Sequence, residues 1–154
     1  MPKVFKSKFL QICDRLQGFW QIYTDGSKTN NGTAAAAVSG DIVKSLRITS
    51  HASIFTAELV ALNLALDIIR RSRRKKFVIF SDSLSGLVAI RNCQLETVHV
   101  QKFIINYCQL VNAGNSITLI WIPGHTGIRG NERADEAAKA ALINLDDDDD
   151  DDAP

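Results

Sequence analysis

The chain lacks the features that mark membrane, secreted and metal–thiolate proteins. Its 154 residues contain no apolar run long enough to span a bilayer. The N-terminal segment MPKVFKSKFLQICDRL lacks the uninterrupted apolar core and small-residue cleavage site of a signal peptide. The three cysteines, Cys13, Cys93 and Cys108, are odd in number and have no metal-ligand spacing. We therefore predict a soluble intracellular protein, nuclear or cytoplasmic, with buried or free thiols and no membrane partner.

The charge is unevenly distributed along the chain. The 18 basic and 17 acidic residues give a net charge of +1, but seven acidic residues form the run Asp146–Asp152. Without that run, 18 basic residues remain against 10 acidic ones, so residues 1–145 carry +8. A basic surface is consistent with a polyanionic partner and also with ordinary solubility. Like charges that repel one another and bury nothing favour disorder in the run.

The hydrophobic pattern predicts a single α/β domain without internal repeats. An apolar fraction of 45% is enough for a core. We expect an N-terminal extension over residues 1–18, a folded domain over 19–145 and a disordered acidic tail over 146–154. Alternation and apolar periodicity predict the following order of elements: strands at 19–27, 33–40 and 41–50, a long helix capped by Ser53, a strand at 77–82, helices at 83–92 and 98–112, a strand at 116–123 and a helix at 131–143. This order favours a mixed sheet with helices packed against it.

Four carboxylates lie at or beside positions that these elements direct toward the core. Asp25 ends the first strand, and Asp82 follows four apolar residues at the end of the fourth. Glu58 lies on the apolar face of its helix, and Asp135 shares a face with Ala138 and Leu142. Taken singly, Asp25 could simply hold a turn, and Asp135 could favour a helix N-terminus.

Several buried carboxylates together require positive compensation. An unpaired buried ion costs roughly several kcal/mol. No basic residue accompanies Asp25, Glu58 or Asp82 on the inward side of these elements. A pair of divalent cations solves this problem, and ligands that are all oxygen select a hard ion such as Mg²⁺.

The motifs YTDGS, TAEL, FSDS and GHTGIRGNERAD, in this order, resemble the ribonuclease H family over most of residues 20–143. The phrase WIPGHTGIRGNERAD is most similar to ribonuclease H domains of non-LTR retrotransposons. The resemblance implies an α/β ribonuclease H-like fold with a five-stranded mixed sheet, three antiparallel strands followed by two parallel ones, flanked by helices. It also implies endonucleolytic hydrolysis of the RNA strand of RNA/DNA hybrids by two metal ions, Mg²⁺ with Mn²⁺ as a substitute. A monomer in isolation, and a reverse transcriptase domain in the parent polypeptide, are compatible with it.

The resemblance assigns roles to individual residues. Asp25 would bridge both ions, Glu58 and Asp82 would complete one metal site, and Asp135 would complete the other. His125, on a glycine-rich loop, would move a proton and withdraw to release product, although it could also be a plain loop histidine. Contacts with phosphate or 2′-hydroxyl groups are expected from residues beside the acidic motifs: Gly26, Ser27, Ser53, Thr56 and Asn131.

The sequence departs from the cellular enzymes of the family in two places. The segment RNCQLETVHVQK is short and only mildly basic where those enzymes often carry a basic, tryptophan-containing handle, which predicts weak binding in isolation. Leu84 stands where many of them have glutamine. The basic run RRSRRKK at 70–76 is interpreted as a solvated helix end, with a distal duplex contact as the alternative. A non-catalytic nucleic-acid-binding or interaction module is the alternative function, and a transposase, integrase or resolvase is an alternative enzyme with a related fold.

Overall fold

The computed structural model describes residues 3–143, with side chains from residue 7 onward. The predicted acidic tail, 146–154, lies outside the described residues. In chain order the elements are α1 (Lys3–Arg15), β1 (Trp20–Thr29), β2 (Gly32–Ser39), β3 (Ile42–Ile48), α2 (Ile54–Arg71), β4 (Lys76–Ser81), α3 (Leu84–Arg91), α4 (Val98–Asn112), β5 (Ser116–Trp121) and α5 (Arg129–Ile143).

The strands form one five-stranded sheet in the order β3-β2-β1-β4-β5. β1, β2 and β3 pair antiparallel, whereas β4 runs parallel to both β1 and β5. The predicted α/β fold with a mixed sheet is confirmed. Because β1 and β4 are parallel neighbours, with Thr24 paired to Ser81, the residues that follow these two positions meet at one edge of the sheet.

Several predicted bounds were wrong, for identifiable reasons. β1 continues to Thr29 because its ladder with β2 runs through the pair Thr29 and Gly32. β3 ends at Ile48, where its pairing with Thr33 ends. Asp82 follows β4 and does not belong to it, because the chain turns there and the Ser83 N–H bonds to the Ser81 hydroxyl. α5 begins earlier than predicted, since the N–H of Glu132 already donates to the carbonyl of Ile128.

The two faces of the sheet bury different sets of side chains. Alternate positions of β4 separate cleanly: Phe77 and Ile79 pack with α2 and α4, whereas Val78 and Phe80 pack on the opposite face. α5 lies across β1, β2 and β3. The helix α2 starts at the predicted cap, where the Ser53 hydroxyl accepts from the N–H of Thr56.

The N-terminal segment forms a helix that packs on the sheet. From α1 and the turn after it, Phe9, Cys13 and Leu16 contact the cluster that contains Val78 and Phe80. The Phe9 and Phe80 rings meet edge to face, with 5.4 Å between their centroids. Burial of apolar side chains therefore attaches α1 to the face of the sheet that α5 also covers. No helix within residues 3–143 is both long and apolar enough to cross a membrane.

Candidate metal and catalytic centre

Three of the four predicted carboxylates converge at one edge of the sheet. Asp25 lies on β1, Glu58 on the first turns of α2, and Asp82 immediately after β4. One carboxylate oxygen from each lies within 4.8 Å of the others. Asp25 and Glu58 are buried, with 5% and 8% of their surfaces exposed, and Asp82 is half-buried. The parallel pairing of β1 with β4 brings the two aspartates together, and α2 adds the glutamate from above.

Gly26 sets the distance between β1 and α2. A Cβ atom at this position would lie 2.8 Å from both the Ala57 Cβ and the Glu58 backbone nitrogen. Only glycine therefore allows the helix to approach this closely. The Gly26 N–H also donates to Asp25 Oδ1 over 2.9 Å, which helps to orient this carboxylate.

The surroundings of the three carboxyl groups raise the pKa of each of them. Burial, followed by repulsion from Asp25 and Asp82, raises the pKa of Glu58 to about 9. Burial and the neighbouring Asp82 raise the pKa of Asp25 to about 7, although a hydrogen bond with Glu58 opposes the rise. Burial likewise raises the pKa of Asp82, against a lowering by Asn131 and His125. In the absence of cations, Asp25 and Glu58 therefore favour their protonated forms more than exposed carboxyl groups do.

The cluster has the donor set of a divalent cation site. Among the described residues, no lysine or arginine forms an ion pair with Asp25, Glu58 or Asp82. Glu58 Oε2 is buried and has no hydrogen-bond partner. An unpaired buried carboxylate oxygen beside two further carboxylates is energetically costly unless a cation or proton neutralises it. Oxygen donors of this kind suit hard divalent ions.

Asp135 lies beside this group but is not one of the three. Its carboxylate accepts a hydrogen bond from Lys139 Nζ over 3.0 Å, one helical turn along α5, and 22% of its side chain is exposed. It nevertheless acts on the cluster, because it contributes to the raised pKa of Asp25. The predicted four-carboxylate set is thus a tight triad plus a more exposed fourth carboxylate that already has a cationic neighbour. The spacing of four residues between Asp135 and Lys139 could have identified this pair from the sequence.

Two residues hold Asp82 in place. Asn131 is 4% exposed, and its Nδ2 donates to Asp82 Oδ2 over 3.3 Å. Gly124 lies so close that a Cβ atom there would be 2.7 Å from the same oxygen. The importance of Gly124 could not be seen in the sequence, because the loop after β5 meets Asp82 only in the folded chain.

His125 is exposed on the loop between β5 and α5. It has a positive φ of 55°, and Gly127 has a φ of 82°. The hydroxyl of Thr126 donates to the Pro123 carbonyl over 2.9 Å. His125 lies close enough to lower the pKa of Asp82, although no hydrogen bond from its side chain fixes it within the described residues. The loop therefore places an imidazole beside the carboxylates without restraining it.

The residues predicted to contact nucleic acid occupy different environments. Ser27 is buried at 7% exposure, and Gly26 is buried beneath α2. Ser53 is exposed and caps α2, with its hydroxyl 3.1 Å from the Thr56 hydroxyl. Asn131 is occupied with Asp82. The hydroxyl pair at the start of α2 is the most accessible of these groups, and their contact with nucleic acid remains a prediction.

The basic run lies at the other end of the sheet. Its residues connect the end of α2 to the start of β4, whereas the carboxylates lie beyond the end of β4. Arg70 contacts Asp67 and Asn106, and Arg74 lies over the Trp20 ring, 3.7 Å from the ring centroid. These contacts agree with the interpretation of a solvated helix end. The segment between α3 and α4 is a short turn, and Leu84 is 57% exposed at the start of α3.

Comparisons with known proteins agree with this architecture. The RNase H family model matches residues 19–143. The chain is 35% identical over 122 residues to the Pol polyprotein of equine infectious anemia virus, an alignment that covers 77% of this chain and 10% of the polyprotein. It is 35% identical over 133 residues to ribonuclease HI of Helicobacter pylori and 32% identical over 134 residues to ribonuclease H of Helicobacter acinonychis. Both bacterial alignments cover 77% of this chain and 90% of the relative.

The chain thus spans about a tenth of the viral polyproteins it matches and most of the bacterial proteins. The family match contains the three clustered carboxylates, Asp135 and the His125 loop, and it leaves α1 outside. On the length of this match and the identity to the bacterial relatives, the chain belongs to the ribonuclease H family.

Proposed function

We propose that this protein is an endonuclease that hydrolyses the RNA strand of RNA/DNA hybrids with the help of two Mg²⁺ ions, for which Mn²⁺ can substitute. The observation that carries the proposal is the convergence of Asp25, Glu58 and Asp82, buried or half-buried, without a cationic partner among the described residues. Relatives named ribonuclease H, at 32–35% identity, support the same activity.

The carboxylates divide between two metal positions. Asp25 would serve both positions, Glu58 and Asp82 would hold one ion, and Asp135 would help to hold the other. When bound, such cations supply the charge that activates an attacking water and stabilises the leaving oxygen of an in-line displacement. The unpartnered Oε2 of Glu58 supports its role as a ligand. Lys139 must release Asp135, or share it, before this carboxylate can serve as a ligand.

The remaining residues of the centre orient ligands and move protons. Asn131 holds Asp82 through its side-chain amide, so the carboxylate keeps one orientation. His125 receives or delivers a proton at the exposed side of the cluster and moves away on its loop as product leaves. Ser53 and Thr56, exposed or half-exposed at the start of α2, bind phosphate or 2′-hydroxyl groups of the substrate, with Gly26, Ser27 and Asn131 as further contacts.

The biological setting that fits this activity is a retroelement. The similarity to a viral Pol polyprotein supports a parent polypeptide that also contains a reverse transcriptase domain. The sequence motif WIPGHTGIRGNERAD favours a non-LTR retrotransposon within that class. In isolation the domain acts as an intracellular monomer, and the short turn between α3 and α4 gives it weak affinity for its substrate.

The alternative, a binding module without activity, is less well supported. Loss of catalysis in a fold of this kind normally accompanies loss of a carboxylate, and all four are present. A strand-labelled cleavage assay separates the two functions. We expect Mg²⁺ or Mn²⁺ to support cutting of RNA paired with DNA, and neither Ca²⁺ nor excess EDTA to do so. Asp25→Asn is the matched inactive control. Equal cutting of duplex DNA, or activity in EDTA, would contradict the proposal.

A further inference from the structure

A cavity of about 500 Å³ lies between α1, the start of β1 and the first turns of α5. None of the four site carboxylates lines it. Its size falls in the range of small-molecule sites, roughly 300–1,000 Å³. Four aromatic side chains and two arginines dominate the lining: Phe9, Phe19, Trp20, Tyr23, Arg129 and Arg133.

The aromatic walls are held by contacts outside the cavity. The Tyr23 ring stacks on Phe80, with 4.9 Å between centroids and 22° between planes, and Phe9 packs edge-on against the same Phe80. Trp20 is held by the guanidinium of Arg74 over its ring. Phe80 and Arg74 each cover one face of a lining ring and hold that ring in place, so the ring does not have to reorganise around a ligand on its other side. Such rings favour a planar aromatic ligand over a flexible aliphatic one.

The donors available to a ligand are arginine guanidiniums. The Gln21 side chain is already occupied, because it accepts from the Tyr23 hydroxyl and donates to Cys13 Sγ. Arg133 donates one bond to the Gly40 carbonyl over 2.7 Å and has no carboxylate within 4.0 Å among the described residues. Arg129 has only distant carboxylate neighbours, at 3.7 and 3.9 Å, and its side chain is 71% exposed.

Among the described residues the lining contains no acidic side chain, so this cavity combines aromatic walls with a positive edge at which Arg133 has no carboxylate partner. We propose that it binds a nucleoside monophosphate group, with the base between the aromatic walls and the phosphate at Arg133 and Arg129. Arginine is well suited to the phosphate because its planar fork can donate two parallel hydrogen bonds. Base stacking on aromatic side chains tolerates any of the bases, so the site selects a class of ligand and not a sequence.

The position of the cavity connects it to the carboxylate centre. Tyr23 and Asp25 are two residues apart on β1 and therefore project from the same face of the sheet. Gly130 lies against one side of the Tyr23 ring, where a Cβ atom would collide with it. The first turn of α5 thus has Arg129 and Gly130 at the cavity and Asn131 at Asp82. A nucleotide in the cavity contacts the same helical turn that orients a catalytic carboxylate.

Two sources can supply the nucleotide group: a free nucleotide, or the unpaired end of a nucleic-acid strand. The second source rests on the proposed function, because it requires a hybrid substrate at the neighbouring centre. The first does not. The two sources present the same chemistry to the cavity, namely an aromatic base and a phosphate.

Titration of the full chain with adenosine 5′-monophosphate in EDTA tests the site without any metal at the carboxylates. We expect saturable binding by calorimetry, with chemical-shift changes at the Trp20 indole N–H and at the Arg129 and Gly130 amides. Adenosine and ribose 5-phosphate, which lack the phosphate and the base respectively, should each bind at least roughly tenfold more weakly. Arg133→Ala should reduce affinity to a similar extent, and Arg129→Ala, at an exposed position, provides a second variant that leaves the fold intact. Arg91→Ala, an exposed arginine on α3, is the matched control and should bind as the parent does.

Hybrids with and without a short single-stranded extension distinguish the sources. Tighter binding of the extended hybrid by the parent chain, lost in Arg133→Ala, identifies the strand end as the occupant. Binding of adenosine monophosphate without any effect of the extension identifies a free nucleotide. Absence of both effects, or equal nucleotide binding by the parent and both variants, would overturn the proposal. Nucleotide binding by a chain that cuts no hybrid would reject the proposed function and leave this site standing.

Discussion

Asn131 Nδ2 donates to Asp82 Oδ2 over 3.3 Å, so α5 holds a carboxylate that follows β4, 49 residues earlier in the chain. Asn131 is only 4% exposed, so solvent has little access to its end of the bond. The bond ties the helix that carries Asp135 to the triad. The orientation of Asp82 is therefore coupled to the helix that carries Asp135.

Replacement of Asn131 should consequently impair catalysis more than folding. We expect Asn131→Ala to lower turnover by roughly 10- to 100-fold and to weaken metal binding by a similar factor, as removal of an outer ligand support usually does. Steady-state cleavage and Mn²⁺ titration measure the two effects. Asn30→Ala, in the exposed turn after β1, is the control and should match the parent. Unchanged turnover in Asn131→Ala would show that Asp82 keeps its orientation without this bond.

Removal of charge from the triad should abolish activity without harming the metal-free fold. In EDTA, Asp25→Asn and Glu58→Gln remove repulsion that otherwise only protons or cations relieve, so we expect melting temperatures equal to or above the parent value. Turnover should fall to background in both variants. Thermal melts with and without Mg²⁺ make the comparison, since added metal should stabilise the parent and leave the variants almost unaffected. Clear destabilisation by both substitutions in EDTA would mean that the carboxylates support the fold itself.

The metal-free protein should lose stability as the pH rises through the neutral range. The pKa of Asp25 is raised from 3.8 to about 7 and that of Glu58 from 4.5 to about 9, so the folded state binds more protons than the unfolded state between these limits. The contribution of both groups is fully present below about pH 4 and declines as the pH rises through 7 and 9. Urea unfolding at pH 6 and pH 9 in EDTA should therefore show a lower free energy of unfolding at pH 9.

Two additions make this pH profile specific to the triad. Glu58→Gln should flatten it, because the group with the largest shift is gone, and excess Mg²⁺ should flatten it in the parent by neutralising the same charges. A parent profile that stays level in EDTA would contradict the assignment of protons to the cluster.

His125→Ala should slow the reaction and leave substrate affinity largely intact. The side chain lies beside Asp82 and makes no hydrogen bond or ion pair with the described part of the chain, so we expect a fall in kcat of about 100-fold and an unchanged melting temperature. His51→Ala replaces another exposed histidine and should have no effect on either quantity. If His125→Ala cleaves the hybrid at the parent rate, His125 has no role in proton transfer.

α1 should contribute to stability although it lies outside the family match. Phe9→Ala removes the edge-on contact with Phe80 and part of the cover over the cluster that includes Ile122 and Ile128, on either side of the His125 loop. Because Phe9 is only half-buried, we expect a loss of about 2 kcal/mol in the free energy of unfolding. Leu10→Ala, at a position 52% exposed on the same helix, should change it by less than about 0.5 kcal/mol. Equal effects of the two substitutions would contradict the packing of α1 on the sheet.

The sequence predicted the order of the elements from β1 to α5 and a set of four carboxylates that includes the clustered three, but it did not predict the helix α1. Local patterns carry this information: alternation marks strands, the Ser53 cap and apolar spacing mark α2, and a glutamate on an apolar helical face is unusual wherever it occurs. Glu58 was found in this way because its burial conflicts with its charge. Strand ends were less certain, since the last pair of a ladder depends on the partner strand, as the extension of β1 to Thr29 shows.

Only the tertiary structure decided how these residues meet. Parallel pairing of β1 with β4 brings Asp25 beside Asp82, and the absence of a side chain at Gly26 lets Glu58 approach them. Residues distant in the chain also meet where Asn131 donates to Asp82, where Gly124 approaches the same carboxylate and in the aromatic cavity beside α5. No local pattern encodes such contacts, because each depends on where two separate elements come to lie when the sheet buries both of its faces.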